Sequence, residues 1–136
     1  MAVLETTFII DLLKETKRRR TGPATLKLQE LTARGEILRV AIFTLAELFV
    51  GVVKGTRPEQ ERAAIDQCLA PFEILPFERS TAEIFGVIVG ELEKKGESIS
   101  DIDALIASVA REHDELLVTR NRRHFDRVAG LRVEGY

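Results

Sequence analysis

One cysteine, two histidines and one tyrosine in 136 residues leave little soft-metal or thiol chemistry available. A lone Cys68 excludes an internal disulfide, and a reducing cytoplasm is the simplest home for such a chain. It lies in a helical stretch without a local histidine, which favours a small buried thiol over a nucleophile. His113 and His124 have no Cys or His neighbours, which argues against zinc. A Gly-rich phosphate loop is also missing. Gly86 and Gly90 fall inside a helical pattern, so neither a Walker nor a dinucleotide fingerprint is present. Apolar runs stay well short of the roughly 20 residues of a membrane span. The first residues lack the basic start and apolar core of a signal peptide. Together these absences predict a cytoplasmic protein that does not span a membrane.

Net charge is also nearly absent, at −2, and by itself names no partner. Its distribution says more. Residues 14–20 carry five bases and one acid, and residues 120–127 carry four arginines and one acid. Between them, residues 83–103 hold six acids and two lysines. This segregation predicts a basic rim around an acidic patch. Taken singly, each cluster also reads as a solvated helix end.

Short apolar runs alternate with helical patterns along the chain. Residues 2–5 read as a buried strand, followed by a helix starting on a threonine cap at Thr6 or Thr7. A second helix covers 24–34, with Leu26, Leu28 and Leu31 turned partly inward. Leu38 to Phe43 reads as a strand, and Thr44 opens a helix ending near Gly51–Gly55. A further helix starts at Pro58, where proline is tolerated in the first turn. Phe72–Phe77 is a strand. Residues 79–95 form a long helix that is apolar on several sides and therefore expected to be heavily buried. Ser100 caps a helix whose Ile102, Leu105, Ile106, Val109 and Ala110 follow helical spacing. A strand at 116–119, a short helix at 121–126 and a strand at 131–134 complete the chain. The alternation predicts a single α/β domain over residues 1–136. Its expected form is a three-layer α/β/α sandwich on a central, mainly parallel sheet of about five strands.

Three acids fall at equivalent places in that pattern. Glu5 ends the first strand, Glu47 lies in the first turn after the second, and Asp103 lies in the first turn of the Ser100 helix. Ligand sites in open parallel sheets form outside the carboxyl ends of the strands, so acids from separate strand–helix junctions can converge there. Each also has a purely structural role open to it. Thr44 to Glu47 fits a capping box, Ser100 to Asp103 is a near version, and the helix dipole favours any first-turn acid. Spacing alone leaves the choice open. A convergent set of hard oxygens without His or Cys suits Mg²⁺ or Mn²⁺. Such a cation would relieve the mutual repulsion of the acids and activate water against a phosphodiester. Flanking arginines would hold a polyanionic substrate.

Four segments in order carry a resemblance: Leu4-Glu5-Thr6-Thr7-Phe8-Ile9-Ile10, Thr44-Leu-Ala-Glu47, Asp103-Ala-Leu-Ile-Ala-Ser108, and Leu117-Val-Thr119-Arg120-Asn121, with a Val128-Ala-Gly-Leu131 ending. The chain resembles the PIN-domain ribonucleases, in particular the VapC-type toxins of toxin–antitoxin pairs. The resemblance implies a divalent-metal-dependent endoribonuclease hydrolysing RNA phosphodiesters by metal-activated water. Glu5, Glu47 and Asp103 would be its metal-binding and catalytic acids, with Mg²⁺ or Mn²⁺ as cofactor. Asp101 and Asn121 are further candidate ligands, and Thr6, Thr119 and Asn121 are supporting polar groups. Arg18, Arg19, Arg20, Arg120, Arg122 and Arg123 are candidates for contact with RNA, or with an acidic segment of a VapB-like antitoxin. A homodimer is the implied assembly. This chain has Glu5 where the family usually has Asp, and no acid at Asn121 or His124 where a fourth often stands. Two other readings therefore stay open: a metal-weakened binding module of the same fold, and a housekeeping RNA-processing nuclease.

Overall fold

The computed structural model describes residues 1–136. Its first strand, β1 (Ala2–Leu4), has all three residues at 0% exposure, because helices cover both faces of the sheet it centres. It pairs in parallel with β2 (Leu38–Ala41) on one side and β4 (Leu116–Val118) on the other. β3 (Glu73–Leu75) and β5 (Val133–Glu134) form the edges, giving the order β3-β2-β1-β4-β5 with every pairing parallel. This is the three-layer sandwich the alternation predicts.

Successive strand residues point to opposite faces, and two cores follow from that. Ala2, Leu4, Val40 and Val118 pack with α1 (Thr6–Lys17), α2 (Pro23–Ala33), α3 (Ile42–Lys54) and α4 (Pro58–Leu69). Val3, Ala41, Leu75 and Leu117 pack with α5 (Arg79–Lys95), α6 (Asp101–Glu112) and α7 (Arg122–Phe125). No helix is long and apolar enough to cross a membrane.

Three local expectations are corrected. The run Leu38–Phe43 is strand only to Ala41; Ile42 and Phe43 form the first turn of α3, where Phe43 packs onto the second core. Tertiary packing here overrides β-propensity. In α2, Leu26 is 57% exposed, because Ala24, Lys27 and Leu31 occupy the inward face. α5 is much less buried than its apolar content implied: only Thr81, Ile88 and Leu92 are buried, and Val87 is 47% exposed. It is an outer helix, so one stripe suffices.

Chain direction creates a crevice. From β1 the chain moves outward through β2 to β3, then returns to the other side of β1 as β4. The switch point lies between β1 and β4, at whose carboxyl ends the Glu5 N–H donates to the Val118 carbonyl at 3.0 Å.

Candidate active site at the carboxyl edge of the sheet

Glu5 follows β1 directly and caps α1, accepting from the Thr7 N–H at 3.1 Å. The same Oε2 accepts from the Thr7 hydroxyl at 2.5 Å and from the Thr119 hydroxyl at 2.7 Å. Each hydroxyl is itself oriented by a backbone N–H from the turn after β4: Arg120 onto Thr7 at 3.1 Å, and Asn121 onto Thr119 at 2.9 Å. A hydroxyl has a single proton to give. Filling both acceptor sides from the turn aims both protons at Glu5. Glu5 as a whole is only 2% exposed, and burial pushes its pKa up. The hydrogen bonds from Thr7 and Thr119 oppose that rise, while the charge of Asp103 adds to it.

Thr6 does the same for the second acid. Its hydroxyl donates to Glu47 Oε1 at 2.7 Å and lies 3.0 Å from the fully buried Thr44 hydroxyl. Because the Thr6 proton is committed to Glu47, Thr44 must be the donor to Thr6. The capping-box role for Thr44 and Glu47 therefore falls away. α3 starts at Ile42 with Ala41 as its cap, which moves Glu47 from the expected first turn into the second. Consecutive threonines at the start of α1 thus each hold one acid.

Asp103 lies in the first turn of α6, where its N–H donates to the capping Ser100 hydroxyl at 3.2 Å. Its carboxylate is 16% exposed, with His124 Nδ1 3.4 Å from Oδ2. Asp101, in the same turn, is exposed and unpaired. Asn121 precedes α7 and makes no side-chain cap.

Of the candidate arginines, Arg120 and Arg122 are tied to Asp11 and Asp126, whereas Arg123 is exposed and unpaired. Arg18, Arg19 and Arg20 are exposed beyond the far end of α1, about 18 Å along its axis from Glu5. They sit at the opposite end of the sheet from the acids.

The donor set consists of hard oxygens, and each acid keeps one oxygen free of protein partners: Glu5 Oε1, Glu47 Oε2 and Asp103 Oδ1. No three Asp, Glu, His or Cys side chains approach closely enough to enclose an ion unaided. A Mg²⁺-like cation keeps several waters and needs only one or two direct carboxylates. The residues fit a hydrated hard cation and not a fully caged one.

The pattern of the PIN domain family matches residues 2–131. The chain belongs to the PIN-domain family. Within it, the chain resembles Ribonuclease VapC2 of Haemophilus influenzae, 39% identical over 97 residues that cover 71% of this chain and 74% of that protein. It is 34% identical to the tRNA(fMet)-specific endonuclease VapC of Shigella flexneri, over the same shares of each. A crystal structure of VapBC2 from Rickettsia felis, bound to a DNA fragment from their promoter, superposes with a TM-score of 0.88. That match is 29% identical and covers 100% of this chain and 99% of the other.

Sequence reasoning passed over several residues that organise this PIN domain's site. Thr7 and Thr44 are hydrogen-bond relays, and Asp11 binds both Arg120 and Tyr136. The one available signal was the Glu-Thr-Thr run itself, in which two hydroxyls follow an acid at a helix start.

Proposed function

We propose that this single-domain protein is a divalent-metal-dependent endoribonuclease of the VapC type, the toxin of a toxin–antitoxin pair. The observation that carries the reading is the Glu5 carboxylate: buried at the β1–β4 switch point, held through Oε2 by Thr7 and Thr119, and paired with no lysine or arginine side chain. Such an arrangement holds negative charge ready for a cation, and in our reading Mg²⁺ or Mn²⁺ occupies it. The similarity to VapC ribonucleases supports the activity, and the similarity to a VapBC assembly supports an antitoxin as partner.

In this reading Glu5, Glu47 and Asp103 hold the metal, and a bound divalent cation supplies Lewis-acid polarisation of the phosphodiester and a more acidic water. Thr7 and Thr119 fix Glu5, Thr6 fixes Glu47, and Asn121 holds Thr119 through its N–H. Asp101 and the Asn121 side chain are additional candidate ligands within the same turns. Arg120, Arg122 and Arg123 line the acid-bearing end and bind RNA phosphates there. Arg18, Arg19 and Arg20 offer a second contact at the other end. The protein acts as a homodimer in the cytoplasm.

Cleavage of an RNA pool by antitoxin-free protein tests this, with Mn²⁺, with Mg²⁺ and with EDTA. Discrete cuts are expected with metal only, and Asp103→Asn should reduce them at least about a hundredfold, the scale on which loss of one electrostatic stabiliser acts. Absence of both cutting and Mn²⁺ binding would leave a binding module of the same fold.

A further inference from the structure

Asp11 belongs to neither the acid set nor the basic clusters, yet it lies one helical turn after Thr7 on the same face of α1. The two residues grip Arg120 from both ends. Thr7 Oγ1 accepts the Arg120 N–H at 3.1 Å, and the two Asp11 oxygens accept from its Nη1 at 2.8 and 3.0 Å. Asp11 is fixed in turn by the Tyr136 hydroxyl, which donates to Oδ2 at 2.7 Å. The Tyr136 ring packs edge-on against the buried Phe8, with centroids 4.9 Å apart. The carboxylate of Asp11 is 15% exposed and the Arg120 side chain 53% exposed. The clamp is thus sheltered while the arginine it holds is open to solvent.

Arg120 starts two hydrogen bonds from Glu5: its N–H reaches Thr7 Oγ1, which donates to Glu5 Oε2 at 2.5 Å. An unrestrained guanidinium on so short a tether would be drawn towards the negative charge of Glu5 and its companion acids, which pair with no lysine or arginine and have only His124, 3.4 Å from Asp103 Oδ2, as a basic neighbour. Once paired there, it would compete with any metal for the same oxygens. Asp11 removes that competitor. It occupies only Nη1, leaving Nε and Nη2 of Arg120 without a protein acceptor at the rim of the acids. Those free donors suit a phosphate oxygen.

We propose that Asp11 is a positioning residue: it holds Arg120 off the Glu5, Glu47 and Asp103 carboxylates and presents it to substrate phosphate, with Tyr136 locking Asp11 in place. The inference rests on the metal-site reading above.

Mn²⁺ titration followed by electron paramagnetic resonance tests it in a double-mutant cycle. Asp11→Asn is expected to weaken Mn²⁺ binding about fivefold, the scale of one exposed ion pair redirected onto the site. Tyr136→Phe should shift it in the same direction by less. Arg120→Ala should not weaken Mn²⁺ binding, and Asp11→Asn combined with Arg120→Ala should return to the Arg120→Ala value. Asp11→Glu should keep most of the wild-type affinity, while thermal unfolding checks that each variant is folded. Equal affinities in wild type and Asp11→Asn overturn the inference. A double variant as weak as Asp11→Asn alone also overturns it, since that pattern marks simple structural damage. A wild-type protein that takes up no Mn²⁺ sinks the metal reading, and this inference with it.

Discussion

Glu115 stands at the start of β4, on the opposite edge of the sheet from the acids, and is 2% exposed. Arg39 Nη1 approaches its Oε1 to 3.1 Å, yet neither Glu115 oxygen has an aligned hydrogen bond. Burial raises its pKa, against the opposing charges of Arg39, His113 and the N-terminal amine, and Glu73 adds to the rise. The native state therefore holds this proton to higher pH than the unfolded chain does. The stability contributed by the group is complete below the ordinary value of 4.5 and is lost as pH rises through the raised one. Relative to Glu115→Gln, which cannot titrate there, the wild type should lose unfolding free energy as pH climbs from about 4.5 towards neutrality. Denaturant unfolding of both proteins across that range checks the sign, and a parallel pair of curves would count against it. At this scale the three candidate acids could be picked out, because an acid near a strand–helix junction leaves a mark in local order. Thr7 left only the Glu-Thr-Thr run, and as hydrogen-bond partners Thr44 and Asp11 left nothing. Their partners are 38 and 109 residues away, and only side-chain direction in the folded chain joins them.

Among the elements, the α1–α2 joint shows how a local charge pattern can mislead. Glu15 is the one acid in the basic run of residues 14–20 and would be expected to offset its neighbours. Instead its carboxylate caps α2, accepting from the N–H groups of Gly22, Ala24 and Thr25 and from the Thr25 hydroxyl at 2.7–3.0 Å. Those hydrogen bonds hold the Glu15 carboxyl below its ordinary range, although partial burial pulls the other way. Lys14, Lys17 and Arg18–Arg20 are left exposed and without acid partners. Glu15→Ala should cost about 2 kcal/mol in unfolding free energy, the scale of a lost cap with charge-assisted hydrogen bonds. Gly22→Ala tests the same contact from the other side. A Cβ at Gly22 would lie 2.6 Å from the Glu15 carboxyl carbon, so this change should destabilise and not stiffen the chain favourably. Helix existence was readable from spacing, and seven helices sit where the pattern put them to within a few residues. The start of α3 was not. Its β-branched residues look like strand until the second core draws Phe43 into a helical turn.

For the molecule as a whole, alternation of short apolar runs with helices was enough to anticipate a parallel sheet covered on both faces. Strand order was beyond it, since nothing local says that β1 ends up between β2 and β4. That order brings Glu5 beside Thr119 and places Asp103 where its charge is felt. If the acids take up a divalent cation, the native state gains what the unfolded chain cannot. At Mn²⁺ a hundredfold above its dissociation constant, Tm should rise by about 9 °C for a domain of this length. EDTA should reverse that rise and Asp103→Asn should blunt it; an unmoved Tm in scanning calorimetry would count against the site.

The central position of β1 also bears on how the protein comes into being. β1 is synthesised more than a hundred residues before β4, the strand that completes its pairing. At about 5–20 residues per second, the 114 residues between Glu5 and Thr119 take about 6–23 seconds to make. A growing chain therefore carries its acids unassembled, and the pocket closes only once β4 has emerged and paired.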